Sequence, residues 1–280
     1  MTTDDSSATA APYQVAVIGV PLDENSSFLR GPALAPPRIR AALHSGSMNL
    51  CTEDGVDLDA RGDWRDLGDL ALGSGAEALV AIERAAADLH ARGTRVLALG
   101  GDHSITAPLV RGLASATASS DLTILHFDAH PDLYDEYGGS RTSHACPFAR
   151  IMERGLARRL VQVGIRAMNP HQRAQAERFG VEVIPMRDVH PGLTLDLHGP
   201  VYVSLDLDAL DPAFAPGVSH HEPGGLSVRE VLRMLASVEG PLVGADIVEY
   251  NPTRDHAEMT AAVAAKVYKE LVGRMLSGPR

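Results

Sequence analysis

The chain has 280 residues, 45% of them apolar and 22% charged, a length well beyond what one packed core requires and a composition that excludes disorder, collagen and coiled coil. No apolar run approaches the ~20 residues that span a bilayer. Lys and Arg number 25 against 36 Asp and Glu, and the net charge of −11 disfavours nucleic acid and anionic membranes while suiting a cationic substrate or a metal.

Residues 1–12, MTTDDSSATAAP, lack the basic start and apolar stretch of a secretory signal and read as a frayed tail on a cytoplasmic protein. Cys51 and Cys146 make no disulfide scaffold, which fits a reducing compartment. The first expected strand is Val15–Gly19. A helix over Gly75–Arg92 stops at Gly93. Strand Arg95–Leu99, helix Ser104–Ala118, strand Leu122–Phe127 and helix Ala145–Gly155 follow. Then come strand Leu160–Gly164, helix Pro170–Phe179 and strands Val181–Ile184 and Val201–Leu207. Helix Ser227–Val238, strand Leu242–Val248 and helix Met259–Leu276 complete the order. Most strands are continuously apolar, as parallel strands covered on both faces are. The alternation implies βαβ units in a single α/β domain over 13–280, either a doubly wound open sheet or an eight-fold barrel. Both place chemistry at the carboxyl ends of strands.

Three strand ends carry polar clusters: GGDHS with Asp102 and His103, DAHPD with Asp128, His130 and Asp132, and DLDALDP with Asp206, Asp208 and Asp211. Side chains two apart in an extended segment project to the same side, so Asp128, His130 and Asp132 converge, as do Asp206 and Asp208. Taken singly, a DxD is more often a cap or turn, and Asp102 serves simply as a helix cap. Taken together, four carboxylates and two imidazoles without thiolate suit Mn²⁺ and do not exclude Co²⁺, Ni²⁺ or Zn²⁺. Two divalent ions would balance four aspartates and leave room for a bridging hydroxide, the device that makes a nucleophile at neutral pH. His126 is expected to support the site or fill the core, Asp102 and Asp246 to orient ligands, and Asp211 to hold a turn. Cys146 near His144 has no third partner or oxyanion hole for nucleophilic catalysis.

With GVPLDENSSFLRGPALAPPRIR near the start and VGADIVEYNP near the end, these motifs resemble the ureohydrolase family, which includes arginase and agmatinase. The resemblance runs from about Val17 to Met275. SHACPFARIM, ARRLVQVGIR and GVSHHEPGGLS look most like plant arginases and bacterial agmatinases. It implies a three-layer α/β/α sandwich on a mostly parallel, roughly eight-stranded sheet. His103, Asp128, Asp132 and Asp206 would hold one Mn²⁺, and Asp128, His130, Asp206 and Asp208 the other. The implied reaction is hydrolysis of a small cationic guanidino substrate, first arginine to ornithine and urea, next agmatine to putrescine and urea, or another guanidino or formimino compound. Asp132 would pass a proton to the leaving amine, Glu249 would pair with the guanidinium, and His144 would shuttle protons with a near-neutral pKa. The family suggests a homo-oligomer, trimer or hexamer.

For the substrate tail, Ser140 aligns with a serine that contacts the amino acid end of arginine in animal arginases. Asn169 stands in place of an acid, Tyr134 of an asparagine and His220 of a threonine; Ser140, Asn169, His220 and Glu249 are the expected contacts. Arg141 suits an α-carboxylate, Asp135 and Glu136 a second cation. A dinuclear phosphoesterase would want cationic groups and late His-rich motifs that are not evident. A non-catalytic family member would be expected to lack a ligand, His144 or Glu249.

Overall fold

The computed structural model describes residues 13–117 and 121–278, so the expected tail at 1–12 and the final residue of the helix expected over 104–118 lie outside it. Among the described residues eight strands form one sheet: β1 Val15–Gly19, β2 Trp64–Asp69, β3 Arg95–Leu99, β4 Thr123–Phe127, β5 Arg159–Ile165, β6 Glu182–Pro185, β7 Val201–Asp206 and β8 Leu242–Val248. Every pairing is parallel, in the order β2-β1-β3-β8-β7-β4-β5-β6. Its two edges, β2 and β6, do not pair with each other, which removes the barrel and leaves the open sheet.

Seven α-helices of the described residues cover it: α1 Ala35–Leu43, α2 Gly75–His90, α3 Thr106–Ala116, α4 Pro147–Glu153, α5 Pro170–Phe179, α6 Val228–Ala236 and α7 Met259–Ser277. Strand residues alternate between two cores. Leu97, Leu99, Leu125 and Phe127 pack with Ile39, Leu235 and Val272 of α1, α6 and α7. Val96, Ala98 and Ile124 pack with Ile82, Val110 and Phe148 of α2, α3 and α4. The result is the three-layer α/β/α arrangement. Truncating a fully buried member such as Leu97 or Leu125 to alanine would cost about 2–5 kcal/mol, lost transfer plus cavity. No helix of the described residues is long and apolar enough to cross a membrane.

Two elements were not expected from the sequence. Helix α1 carries Pro36 and Pro37 in its first turn, where a missing N–H costs nothing, and buries Ile39 and Leu43 four residues apart. Strand β2, WRDLGD, sits at the sheet edge and alternates half-buried and exposed residues, unlike the apolar central strands. Of the four adjacent central strands, β3, β8, β7 and β4, three end where the polar clusters begin and β8 ends just before Glu249. Their order is a topological switch, the position at which open α/β sheets bind ligands.

Candidate metal centre

His103 begins a 3₁₀ turn (His103–Ile105) directly after β3, and Asp102 caps that turn by accepting from the Ser104 N–H at 3.0 Å. Asp128 follows β4. Asp206 ends β7 and caps a second 3₁₀ turn (Leu207–Ala209), accepting from the Asp208 N–H at 2.8 Å. His103 Nδ1 lies 3.2 Å from Asp128, 3.0 Å from Asp132 and 3.2 Å from Asp206. His130 Nδ1 lies 3.1 Å from Asp208 and 3.4 Å from Asp128. All six residues expected as ligands are therefore brought together. Asp128 touches both imidazoles, and the four carboxylates are buried.

The route to convergence differs from the extended-strand parity expected. Asp132 has φ +49°, left-handed backbone that a non-glycine residue adopts at a cost, and Asp208 sits inside the 3₁₀ turn. Turns aim these side chains, and backbone N–H groups hold them: Ala129 donates to Asp208 (3.1 Å) and His130 to Asp128 (2.5 Å).

Four buried carboxylates cannot all stay ionised without compensation. Burial and the facing Asp208 and Asp128 push the Asp206 carboxyl well above its ordinary range. Burial also lifts Asp208, to about 6. Asp128 goes the other way: burial raises it, but the surrounding His126, His103 and His130 hold it well below. His103 would be lowered by burial, yet its three carboxylates raise it well above the usual imidazole value.

The orientation of His103 fits a cation better than a proton. Ser204 Oγ donates to Asp246 (2.6 Å), so its lone pair faces His103 Nε2 at 2.9 Å and Nε2 carries the hydrogen. Nδ1 then points among three carboxylates, aligned for a hydrogen bond to none of them, a position from which its lone pair can serve a cation in place of a proton. Asp246 is itself fixed by Tyr202 (2.7 Å) and Thr106 (3.0 Å), the orienting arrangement that metal-binding histidines favour. Carboxylate oxygens with two imidazoles suit a pair of divalent ions of the Mn²⁺ type. Donor atoms of His103, His126 and Asp128 also lie within 4.8 Å of one another. His126, however, has both ring nitrogens engaged, Nε2 with Asp128 (2.8 Å) and Nδ1 with Gln162 (3.0 Å), and so braces Asp128.

Above the cluster opens a cavity of about 410 Å³, with Asp132, Asp206, Asp208, His130, His144, His220 and Glu249 in its walls. Among the described residues no Lys or Arg lines it. Glu249 follows β8 with φ +63°. Its Oε1 accepts from the His103 N–H (3.0 Å) and lies 2.7 Å from His144 Nδ1, while Oε2 is buried without a partner. Burial lowers His144, but Glu249 outweighs it, and the ring is pushed up to about 9 rather than the near-neutral value expected.

The expected tail contacts divide. His220 lines the cavity, its ring 5.9 Å from that of His130 and 5.4 Å from that of His144. Asn169 lines it too, but its Oδ1 caps α5 by accepting from the Gln172 N–H and its Nδ2 donates to Tyr134 Oη at 2.5 Å. Ser140 is outside the wall, its Oγ 3.1 Å from Thr142 Oγ1. Arg141 is committed to Asp135 (2.5 Å) and Glu153 (3.0 Å), which removes it as a counter-ion for a substrate carboxylate. Burial pushes the Cys146 thiol up to about 12, so it offers no thiolate. Asp211 accepts from the Ala213, Gly224 and Gly225 N–H groups, the turn role expected. Sequence reading passed over Ser27, which meets His144, and the Tyr202–Ser204 support; the serine's spacing two before Asp206 was the available signal for the latter.

Residues 13–273 match the family model described as Arginase family. A curated relative, "Arginase 2, chloroplastic/mitochondrial" from Arabidopsis thaliana, is 48% identical over 277 residues, covering 93% of this chain and 80% of that protein. An "N(1)-aminopropylagmatine ureohydrolase" from Thermus thermophilus is 42% identical, covering 90% and 88%. Among solved structures, "Arginase from Medicago truncatula" superposes with a TM-score of 0.88 at 43% identity, covering 94% of this chain and 88% of that one. The fold and the clustered side chains define an α/β protein built to collect acidic and imidazole ligands at the sheet's switch point. The chain belongs to the arginase family.

Proposed function

We propose that this protein hydrolyses arginine to ornithine and urea at a pair of Mn²⁺ ions. Family membership makes it a ureohydrolase, an enzyme that cleaves guanidino groups. The observation that carries the site reading is the buried convergence of Asp128, Asp132, Asp206, Asp208, His103 and His130 beneath a cavity without Lys or Arg among the described residues. Asp128 and Asp206 would be shared by both ions, His103 and Asp132 would complete one set, His130 and Asp208 the other. When bound, such a pair supplies Lewis acidity that makes water nucleophilic near neutral pH.

The chain's own residues do the rest. Glu249 offers its partnerless Oε2 to the guanidinium and orients the trigonal carbon above the cluster. Asp132 holds the transferred proton at its carboxylate and passes it towards the leaving amine. His144, paired with Glu249 through Nδ1, gives up one ring proton as the product amine forms and regains one from solvent, passing between its charged and neutral states. The arginine assignment leans on the Arabidopsis and Medicago relatives. Agmatine is the second reading, favoured by the lack of a cationic wall residue among those described and by Arg141 being spent on Asp135 and Glu153. Urea release from arginine and agmatine side by side, with manganese supplied, decides between them: preference for agmatine reverses the assignment, and silence with both sinks it. We place the enzyme in the cytoplasm as a trimer or hexamer. Its two free cysteines support the compartment and the family pattern supports the assembly.

A further inference from the structure

The loop at residues 25–27 is tied to the site by contacts that the proton transfers above do not use. Its first half is pinned below: Asn25 N–H and Ser26 Oγ donate to Asp102 Oδ2 at 3.0 and 3.3 Å, and Asn25 Nδ2 donates to Ser104 Oγ at 3.0 Å. Across the cavity mouth, Asn25 C=O accepts from the His144 N–H at 3.2 Å. These anchors bring Ser27 against the outer edge of the His144 ring. Ser27 Oγ lies 2.8 Å from Nε2, and the Ser27 backbone N–H donates to the same nitrogen at 3.2 Å. The inner edge faces Glu249 through Nδ1 at 2.7 Å.

We propose that Ser27 is a positioning residue for His144, fixing the ring plane and reserving Nδ1 for the edge that faces Glu249 and the substrate. The inference rests on the proton-moving role of His144 given above. A backbone N–H can only donate, so while that bond is made Nε2 offers a lone pair and the single ring proton sits on Nδ1. The hydroxyl can donate or accept, so a second proton on Nε2 also finds a partner. Ser27 therefore serves both states of a ring that must alternate between them. With Glu249 alone, the imidazole could turn about its Cα–Cβ and Cβ–Cγ bonds and lose its alignment. Other groups near the ring do not replace this hold: His220 meets it only by ring contact at 5.4 Å, and Asp132 and Asp102 act on it through charge.

The test compares Ser27→Ala, Ser27→Thr and His144→Asn in the manganese-loaded full chain, by kcat, KM, bound metal and thermal melt. Ser27→Ala should lose about five- to tenfold in kcat, the worth of one hydrogen bond, with KM, metal content and melt unchanged. Ser27→Thr, which keeps the hydroxyl, should restore most of it. Nitrogen-15 shifts of the His144 ring, read on the diamagnetic full chain, should show the Nε2 resonance moving in the alanine variant, which keeps only the backbone N–H there, and staying in place in the threonine variant. His144→Asn should cost about a hundredfold or more. An unchanged kcat and unchanged ring shifts in Ser27→Ala, beside an inactive His144→Asn, would overturn the inference and leave the reaction intact. Loss of metal or of the melt in both Ser27 variants would make the residue structural and overturn it as well. An active His144→Asn would instead remove the role on which the inference rests.

Discussion

Two groups of charged side chains lie within a few residues of each other and behave oppositely. At the rim, Arg141 and Arg150 pair with Asp135 and Glu153 in a mixed-sign lattice with Arg141 and Asp135 half exposed. At the floor, Asp128, Asp132, Asp206 and Asp208 are buried with one sign of charge and only imidazoles for company. The rim is neutralised from within and screened by water, so little depends on any one pair. The floor has only imidazoles against its four carboxylates, so the proposed cations would have to complete its neutralisation and each member matters. Burial and sign balance, not the number of charges, separate a surface network from the proposed catalytic floor.

The largest break of that contrast is Asp206→Ala. Removing a carboxylate shared by both proposed ion sites should empty the floor and abolish urea release, read by elemental analysis beside activity. Glu249→Gln is next: it removes the proposed negative partner of the guanidinium but no proposed ligand, so about a hundredfold of turnover should vanish while both metals stay. Asp246→Asn weakens the hold on Ser204 and through it on His103, and manganese affinity should fall about 10- to 100-fold in a direct binding titration. Arg141→Ala at the rim should leave turnover and melting temperature within experimental scatter. A large loss of turnover there would mean that the rim reads the substrate after all.

The floor was more legible in the sequence than the tail pocket, for a physical reason. Open α/β sheets gather chemistry at strand ends, so three apolar runs each followed by acids, two of them with a histidine, announced it, and all six residues meet. The apolar central strands were equally plain. Strand β2 was missed because an edge strand buries only one flank and WRDLGD carries too few apolar residues. Helix α1 was missed because two prolines mask a helix start that they in fact favour. The geometry of Asp132 and Asp208 was misread for a related reason: extended parity and a tight turn leave the same two-residue spacing in sequence. The tail contacts depend on loops that fold onto each other from far apart. Nothing local in Ser140, Asn169 or Ser27 tells that the first meets Thr142 outside the cavity wall, the second caps a helix and the third meets His144 from 117 residues off.

Strand β8, the latest of the eight in chain order, is seated between β3 and β7 rather than at a border. A nascent chain therefore leaves a gap in the middle of its sheet until residues beyond 240 have emerged, and β3 cannot be joined to β7 before then. Such long-range closure is slow and exposes unpaired strand edges meanwhile. Glu249 arrives on that same insertion, so the carboxylate proposed to meet the guanidinium is delivered by the act that completes the fold. Partly made chains would collect acids without being able to turn over substrate.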